Sequence, residues 1–136
     1  MIFALLLWLA FSDLTAIKSE PDFNKRSELA LSNADQSLAR ARDAYLAGDA
    51  GWTTSLAEVQ ESVEISYDAL LKDKGQPRKN KYFKRAELKI RALLRRLSGL
   101  REDVGFDNQA SVDGVSKKLS EIHDNLLNAI MSKRKQ

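Results

Sequence analysis

The chain has 136 residues and a formal net charge of +3; 43% of the residues are hydrophobic and 30% are charged. This length fits a single domain. Six glycines and two prolines are too few for a loop-rich or all-β fold, which needs frequent turns. The absence of cysteine from the sequence excludes disulfides, cysteine nucleophiles, thiolate metal sites and iron–sulfur clusters.

The N-terminal run MIFALLLWLAFS contains no charged side chain. It is shorter than the roughly 17 residues that a helix needs to cross a bilayer, so it is more typical of a signal-peptide core than of an anchor. Small residues at Ala10 and Ser12 favour cleavage after Ser12, and cleavage after Ala16 is the alternative. We therefore expect residues 1–16 to be a signal peptide and the protein to be exported, periplasmic or secreted. Because no Lys or Arg precedes the core, an uncleaved hydrophobic N-terminus is the other interpretation.

The first two predicted helices span about 19–47 and 52–74, with apolar residues recurring at spacings of three and four. The turn 48–51 separates them, and its first residue, Gly48, can adopt the left-handed conformation that ends a helix. The apolar face of the second helix contains seven residues: Trp52, Leu56, Val59, Val63, Tyr67, Leu70 and Leu71. The segment 75–77, which contains glycine and proline, ends this helix.

The third and fourth predicted helices span about 80–104 and 111–132, and each carries three heptads of a coiled-coil-like seam. Short connections favour antiparallel neighbours. The sequence therefore predicts an all-α fold: an antiparallel up-down four-helix bundle of two hairpins, forming one domain over 19–132, followed by a basic tail at 133–136. Dimerisation of two long hairpins is the alternative way to complete a core.

The sequence contains no recognised catalytic or metal-binding motif. His123, the only histidine, lies beside the seam of the fourth helix, and Ser120 occupies the position where a di-iron Glu-x-x-His motif would need glutamate. We expect a half-buried boundary histidine, no enzymatic activity, no metal and no cofactor. Four carboxylates of the second helix are expected to project outward into solvent: Glu58, Glu61, Glu64 and Asp68.

Charge is segregated along the chain. Ten Lys and Arg residues lie between Arg78 and Arg101 against one acid, Glu87, a net charge of +9. The segment 49–74 has six acids and two bases, a net charge of −4. The second and third helices could neutralise each other as antiparallel neighbours, with Lys89 and Arg96 beside the seam. Alternatively, the outward face of the third helix binds anions through four residues: Lys84, Arg85, Arg91 and Arg95.

Residues 41–49, ARDAYLAGD, resemble the turn of a tetratricopeptide helical hairpin, which often reads A-x-x-A-Y-x-x-G-D. The match covers one turn, and it implies binding of a protein or peptide in a helical groove. In architecture, the chain also resembles short exported helical proteins of bacteria. We therefore expect a non-enzymatic exported interaction module with protein partners. The alternative is electrostatic binding of an anionic envelope component, whether lipid, polymer or nucleic acid, through the third helix.

Overall fold

The computed structural model describes residues 14–132, and this part of the chain is all-helical, without a β-strand. It contains five α-helices: α1, whose described part covers residues 14–18, α2 (Phe23–Leu46), α3 (Trp52–Lys72), α4 (Lys81–Asp103) and α5 (Gln109–Met131). Two short 3-10 turns, Pro77–Lys79 and Phe106–Asn108, precede α4 and α5. The predicted all-α class is confirmed.

Most of the predicted signal peptide and all of the predicted tail, 133–136, lie outside the described residues, as does the cleavage point after Ser12. Residues 14–16 are described, and they belong to α1. Leu14 and Ile17 of this helix are buried. Cleavage after Ser12 would therefore keep both buried side chains, whereas cleavage after Ala16 would remove Leu14.

The ends of α2 have local chemical causes. Oδ1 of Asp22 accepts hydrogen bonds from the backbone N–H groups of Asn24 and Lys25, at 3.0 and 3.2 Å, and so caps the start of the helix. The predicted start at Ser19 is wrong because the chain turns there, between α1 and α2. At the other end Gly48 has φ = 74°, the left-handed conformation that the sequence predicts for it.

The four long helices pack as two antiparallel pairs, α2 with α3 and α4 with α5, which lie side by side. Helix α2 packs against α4, and α3 packs against α5. Glu28 pairs with Arg85, and Arg42 pairs with Asp103. Residue numbers therefore increase in the same direction along α2 and α4, so these two helices are parallel. Helices α3 and α4 consequently lie on a diagonal and touch little. The expectation that they are neighbours is wrong, because the connection 73–80 crosses one end of the molecule.

The apolar faces of α2, α3, α4 and α5 pack together into one hydrophobic core. Its largest fully buried side chains are Phe83, Leu56, Leu70, Ile90, Leu93, Leu97, Leu119 and Leu126. Each of these contributes about 1.5–3 kcal/mol by leaving water. The apolar spacings of the sequence thus predict the core faces, with one exception. Leu71, expected on the apolar face, is 56% exposed in the last turn of α3.

Candidate functional site

The four residues predicted to bind anions are all exposed on α4, but two of them have carboxylate partners. Nη1 of Arg85 donates to Oε2 of Glu28 on α2 at 2.7 Å. Nε of Arg91 donates to Oε2 of Glu87, one helical turn earlier, at 2.9 Å. Lys84 and Arg95 form no ion pair within residues 14–132. The structure therefore divides the predicted set into two neutralised and two free cations.

Glu87 joins α4 to α5. Its side chain is only 3% exposed, and its Oε2 lies 2.8 Å from Nε2 of His123, which therefore donates to it. Burial alone would raise the pKa of this carboxyl, but the hydrogen bonds from His123 and Arg91 and their charges bring it below its usual value of 4.5. His123 is partly buried at the edge of the core, as the sequence predicts.

Two further cations of α4, Lys89 and Arg96, pair with Asp35 of α2. Nη1 of Arg96 lies 2.9 Å from Oδ1 of Asp35. The sequence predicts pairing for both residues but assigns it to the acidic helix α3, and this assignment is wrong. Helix α3 lies on the diagonal from α4, and within residues 14–132 no ion pair joins the two helices.

The cations left without a carboxylate partner are concentrated at one end of the molecule, where α3 ends and α4 begins. Six exposed residues at this end form no ion pair in the described part of the chain: Lys72, Lys74, Arg78, Lys79, Lys81 and Lys84. We call this group the basic pole. The nearby carboxylate of Asp73 accepts a hydrogen bond from Nδ2 of Asn80 at 2.9 Å. Arg95 lies eleven residues beyond Lys84, about 16 Å along the helix, and is outside the pole.

The sequence prediction missed part of this surface. The charge pattern groups Lys72 and Lys74 with the acidic second predicted helix, which is α3, and it includes Arg91 in the anion site although Glu87 neutralises it. The signal that could have found the pole is the run of seven cations and one acid between Lys72 and Arg85, which spans the connection rather than one helix. A helix-by-helix count of charge conceals it.

Two large apolar side chains are exposed beside the basic pole. Leu71, in the last turn of α3, is 56% exposed, and Met131, the last residue of α5, is 68% exposed. The turn Pro77–Lys79 contacts α5, which brings the C-terminal end of that helix to the pole. In the sequence, Met131 is followed closely by Lys133, Arg134 and Lys135. This end of the molecule therefore combines cations with aliphatic side chains.

The opposite end, where α2 joins α3 and α4 joins α5, is acidic. It carries six exposed carboxylates, Asp43, Asp49, Glu102, Asp103, Asp107 and Asp113, which we call the acidic pole. Two cations partly neutralise it. Nε of Arg42 lies 3.6 Å from Oδ2 of Asp103, and Nε of Arg101 lies 2.6 Å from Oδ1 of Asp113. Phe106 is 88% exposed among these charges. The protein thus separates charge along its long axis, which the small net charge conceals.

A polar seam lies between α2 and α3. The hydroxyls of Ser27 and Ser66 are 2.6 Å apart in the buried interface. Further along, Nδ2 of Asn33 donates to Oγ of Ser62 at 2.9 Å. Sequence reasoning missed this seam, although serines at 62 and 66 are one turn apart on the buried face of α3.

Glu58 belongs to the same seam and corrects the expectation of four solvated carboxylates on α3. Its side chain is 14% exposed. Oε2 of Glu58 accepts hydrogen bonds from Ser37 at 2.6 Å, Arg40 at 2.8 Å and Asn33 at 3.1 Å. Of the other two glutamates in the predicted set, Glu61 is exposed beside Lys18, and Glu64 is partly buried beside Lys118.

An open groove of about 480 Å³ runs between α2 and α4. Leu31, Tyr82, Leu88 and Ala92 provide its apolar lining. The ion pairs Glu28–Arg85 and Asp35–Lys89 cross it from one helix to the other, so the charges at its rim are already balanced.

No group of three His, Asp or Glu side chains within residues 14–132 is arranged to hold a metal ion. No helix of this part combines the length and apolarity needed to cross a membrane. Comparison of the chain with protein-family models, curated proteins and solved structures gives no match.

Proposed function

We propose that this chain is a non-enzymatic, exported binding module that attaches through its basic pole to an anionic, phosphate-bearing surface. The observation that carries this proposal is the cluster of six exposed cations at one end that form no ion pair within residues 14–132. Cations concentrated on one part of a surface raise the local concentration of an anionic partner and accelerate its association.

The contrast with the rest of α4 supports this role. Along its sides, five cations are paired with carboxylates: Arg85, Lys89, Arg91, Arg96 and Arg101. Cations whose only role is to hold the helices in register are expected to have such partners. Repulsion among six like charges at the pole disfavours the compact state, and an anionic partner would remove that repulsion.

In this proposal the four long helices act as an antiparallel four-helix bundle that holds the pole rigid. A cleaved signal peptide over residues 1–16 would deliver the protein to the periplasm or outside the cell, where lipid headgroups and anionic polymers are the available partners. The bundle would not need a cofactor, because attachment is electrostatic.

A protein partner is the second candidate, and the groove between α2 and α4 favours it. Leu88, on the apolar lining of this groove, is half exposed. An amphipathic helix of another protein, or of a second copy in a homodimer, could place its apolar face there. The resemblance of residues 41–49 to a tetratricopeptide turn points to the same kind of binding.

Neutralising two cations of the pole tests the main proposal. We expect Lys81→Gln/Lys84→Gln to weaken binding of the full chain to phosphocellulose and to phosphatidylglycerol-containing vesicles about thirtyfold, since each cation near an anionic surface contributes about 1 kcal/mol. Binding should also decline steeply with salt. The measurement is the bound fraction against salt concentration.

Arg95→Gln/Lys117→Gln is the matched control, because it removes the same charge from two exposed cations that, like Lys81 and Lys84, form no ion pair within residues 14–132 but lie outside the pole. This control should bind like the unchanged chain. If both double variants lose binding equally, overall charge rather than the pole is responsible, and the proposal fails.

A further inference from the structure

The exposed aliphatic side chains of the basic pole distinguish between possible anionic partners. Leu71 and Met131 are more than half exposed beside the unpaired cations. A bilayer presents phosphate at its surface and hydrocarbon a few ångströms below. Cations beside aliphatic side chains can therefore contact both layers, because the cations bind the phosphates and the aliphatic side chains enter the hydrocarbon. A polyphosphate or a sugar phosphate offers nothing for the aliphatic side chains to enter.

Single-stranded nucleic acid fits this pole less well, because its bases bind by stacking on exposed aromatic faces. Two aromatic rings near the pole, those of Phe23 and Tyr82, have cations over them. The guanidinium of Arg26 lies 5.2 Å from the ring centroid of Phe23. Lys81 and Arg85 lie 5.4 and 5.3 Å from that of Tyr82. The faces of these two rings are therefore already in contact with cations, whereas Leu71 and Met131 are more than half exposed.

The position of the acidic pole is also compatible with a membrane partner. A helix of 23 residues such as α4 is about 35 Å long, so the acidic pole lies several times the screening length of about 8 Å from the basic pole at physiological salt. Its carboxylates would not weaken attachment of the basic pole, but they would oppose contact of the acidic pole with the same anionic surface.

Building on the proposed function, we propose that the protein docks end-on on an anionic lipid bilayer, with the cations of the basic pole at the headgroup phosphates and Leu71 and Met131 inserted below them. The helices then stand away from the membrane and present the acidic pole, with Phe106, to the surrounding solution.

The test uses the full chain and vesicles of phosphatidylcholine with or without phosphatidylglycerol. Tryptophan is introduced in separate variants at Leu71→Trp and, as the matched control at the acidic pole, at Leu46→Trp. In vesicles containing phosphatidylglycerol, we expect bromine-labelled lipids to quench the tryptophan at position 71 and not that at position 46. The chain also contains Trp8 and Trp52, so each variant carries Trp8→Phe as well and its quenching is compared with that of Trp8→Phe alone; the difference then reports positions 71 and 46.

The second measurement is the strength of binding. We expect Leu71→Ser/Met131→Ser to weaken partitioning into the anionic vesicles about tenfold or more, because it removes two aliphatic side chains from hydrocarbon. Leu46→Ser/Phe106→Ser, a matched pair of exposed apolar side chains at the acidic pole, should leave partitioning unchanged.

The possible failures are distinguishable. If binding to the vesicles requires Lys81 and Lys84 but position 71 is not quenched and Leu71→Ser/Met131→Ser has no effect, the pole binds phosphate without insertion, and only this inference is overturned. Preferential binding of single-stranded nucleic acid over the vesicles would overturn it too. If neither phosphocellulose nor anionic vesicles bind in a pole-dependent way, the proposed function itself fails.

Discussion

Glu87 is a buried carboxylate on the core side of α4, and its contacts explain why it can remain charged there. A carboxylate moved out of water without partners would take up a proton. Here His123 and Arg91 donate hydrogen bonds to it, and the pKa of Glu87 is lowered despite its burial. The acid therefore contributes to stability through the link between α4 and α5.

A lowered pKa determines the direction of the pH effect. Because the folded state holds the charged form of Glu87 more strongly than the unfolded chain, the stabilisation is present above the unfolded pKa of about 4.5. It is lost as the pH falls through the lower folded value. We expect Glu87→Gln to reduce the free energy of unfolding by about 1–3 kcal/mol at pH 7, with a smaller difference at pH 3. Urea unfolding at both pH values measures this.

Glu121→Gln supplies the comparison at residue scale, since Glu121 is exposed on α5 and forms no ion pair in the described part of the chain. Its effect should stay within about 0.5 kcal/mol at both pH values. An equal effect of the two substitutions at pH 7 would contradict the role assigned to the buried carboxylate.

At the scale of elements, the interface between α2 and α3 depends on small polar side chains. Ser27 and Ser66 form a hydrogen bond in a position where both are almost fully buried. Alanines at 30, 34 and 41 flank Ser27 and Ser37 on the same buried face of α2, which lets the two helix backbones approach closely. The seam therefore fixes the register of the α2–α3 hairpin, and little apolar contact between the two helices is lost.

The serine pair leads to a prediction about non-additivity. Ser27→Ala or Ser66→Ala alone leaves one buried hydroxyl without its partner, and we expect each to cost about 1–2 kcal/mol of unfolding free energy. The double variant removes both hydroxyls, so it should cost less than the sum of the two. A double-mutant cycle by urea unfolding measures the coupling, and strictly additive effects would contradict the interaction.

The helices themselves follow closely from the sequence, because a stripe of apolar residues at spacings of three and four determines which side of a helix is buried. The residues at the ends are less determined. Leu71 continues the apolar stripe of α3, but it lies in the last turn, where it is 56% exposed among residues 14–132. The position of Glu58 in the sequence pattern predicts a solvated carboxylate. Only the packing of α2 against α3 brings Ser37 and Arg40 to it.

At the scale of the whole molecule, periodicity does not determine which helices are neighbours. Each apolar stripe could be buried by any other stripe, and the choice between adjacent and diagonal placement depends on how the connection 73–80 crosses the end of the molecule. That choice has an electrostatic consequence. With α3 on the diagonal, its carboxylates do not reach α4, and the cations of the basic pole stay unpaired within residues 14–132.

Separation of the two poles leads to a prediction that tests end-on docking as a property of the entire molecule. At 0.15 M salt the screening length is about 8 Å, far shorter than the ~35 Å helices, whereas at 0.01 M it is about 30 Å. Glu102→Gln/Asp107→Gln at the acidic pole should therefore leave binding to anionic vesicles unchanged at 0.15 M and strengthen it at 0.01 M. Vesicle sedimentation at both salt concentrations measures this. If the substitutions alter binding at 0.15 M as strongly as Lys81→Gln/Lys84→Gln, both poles lie near the membrane, and the protein binds along its side.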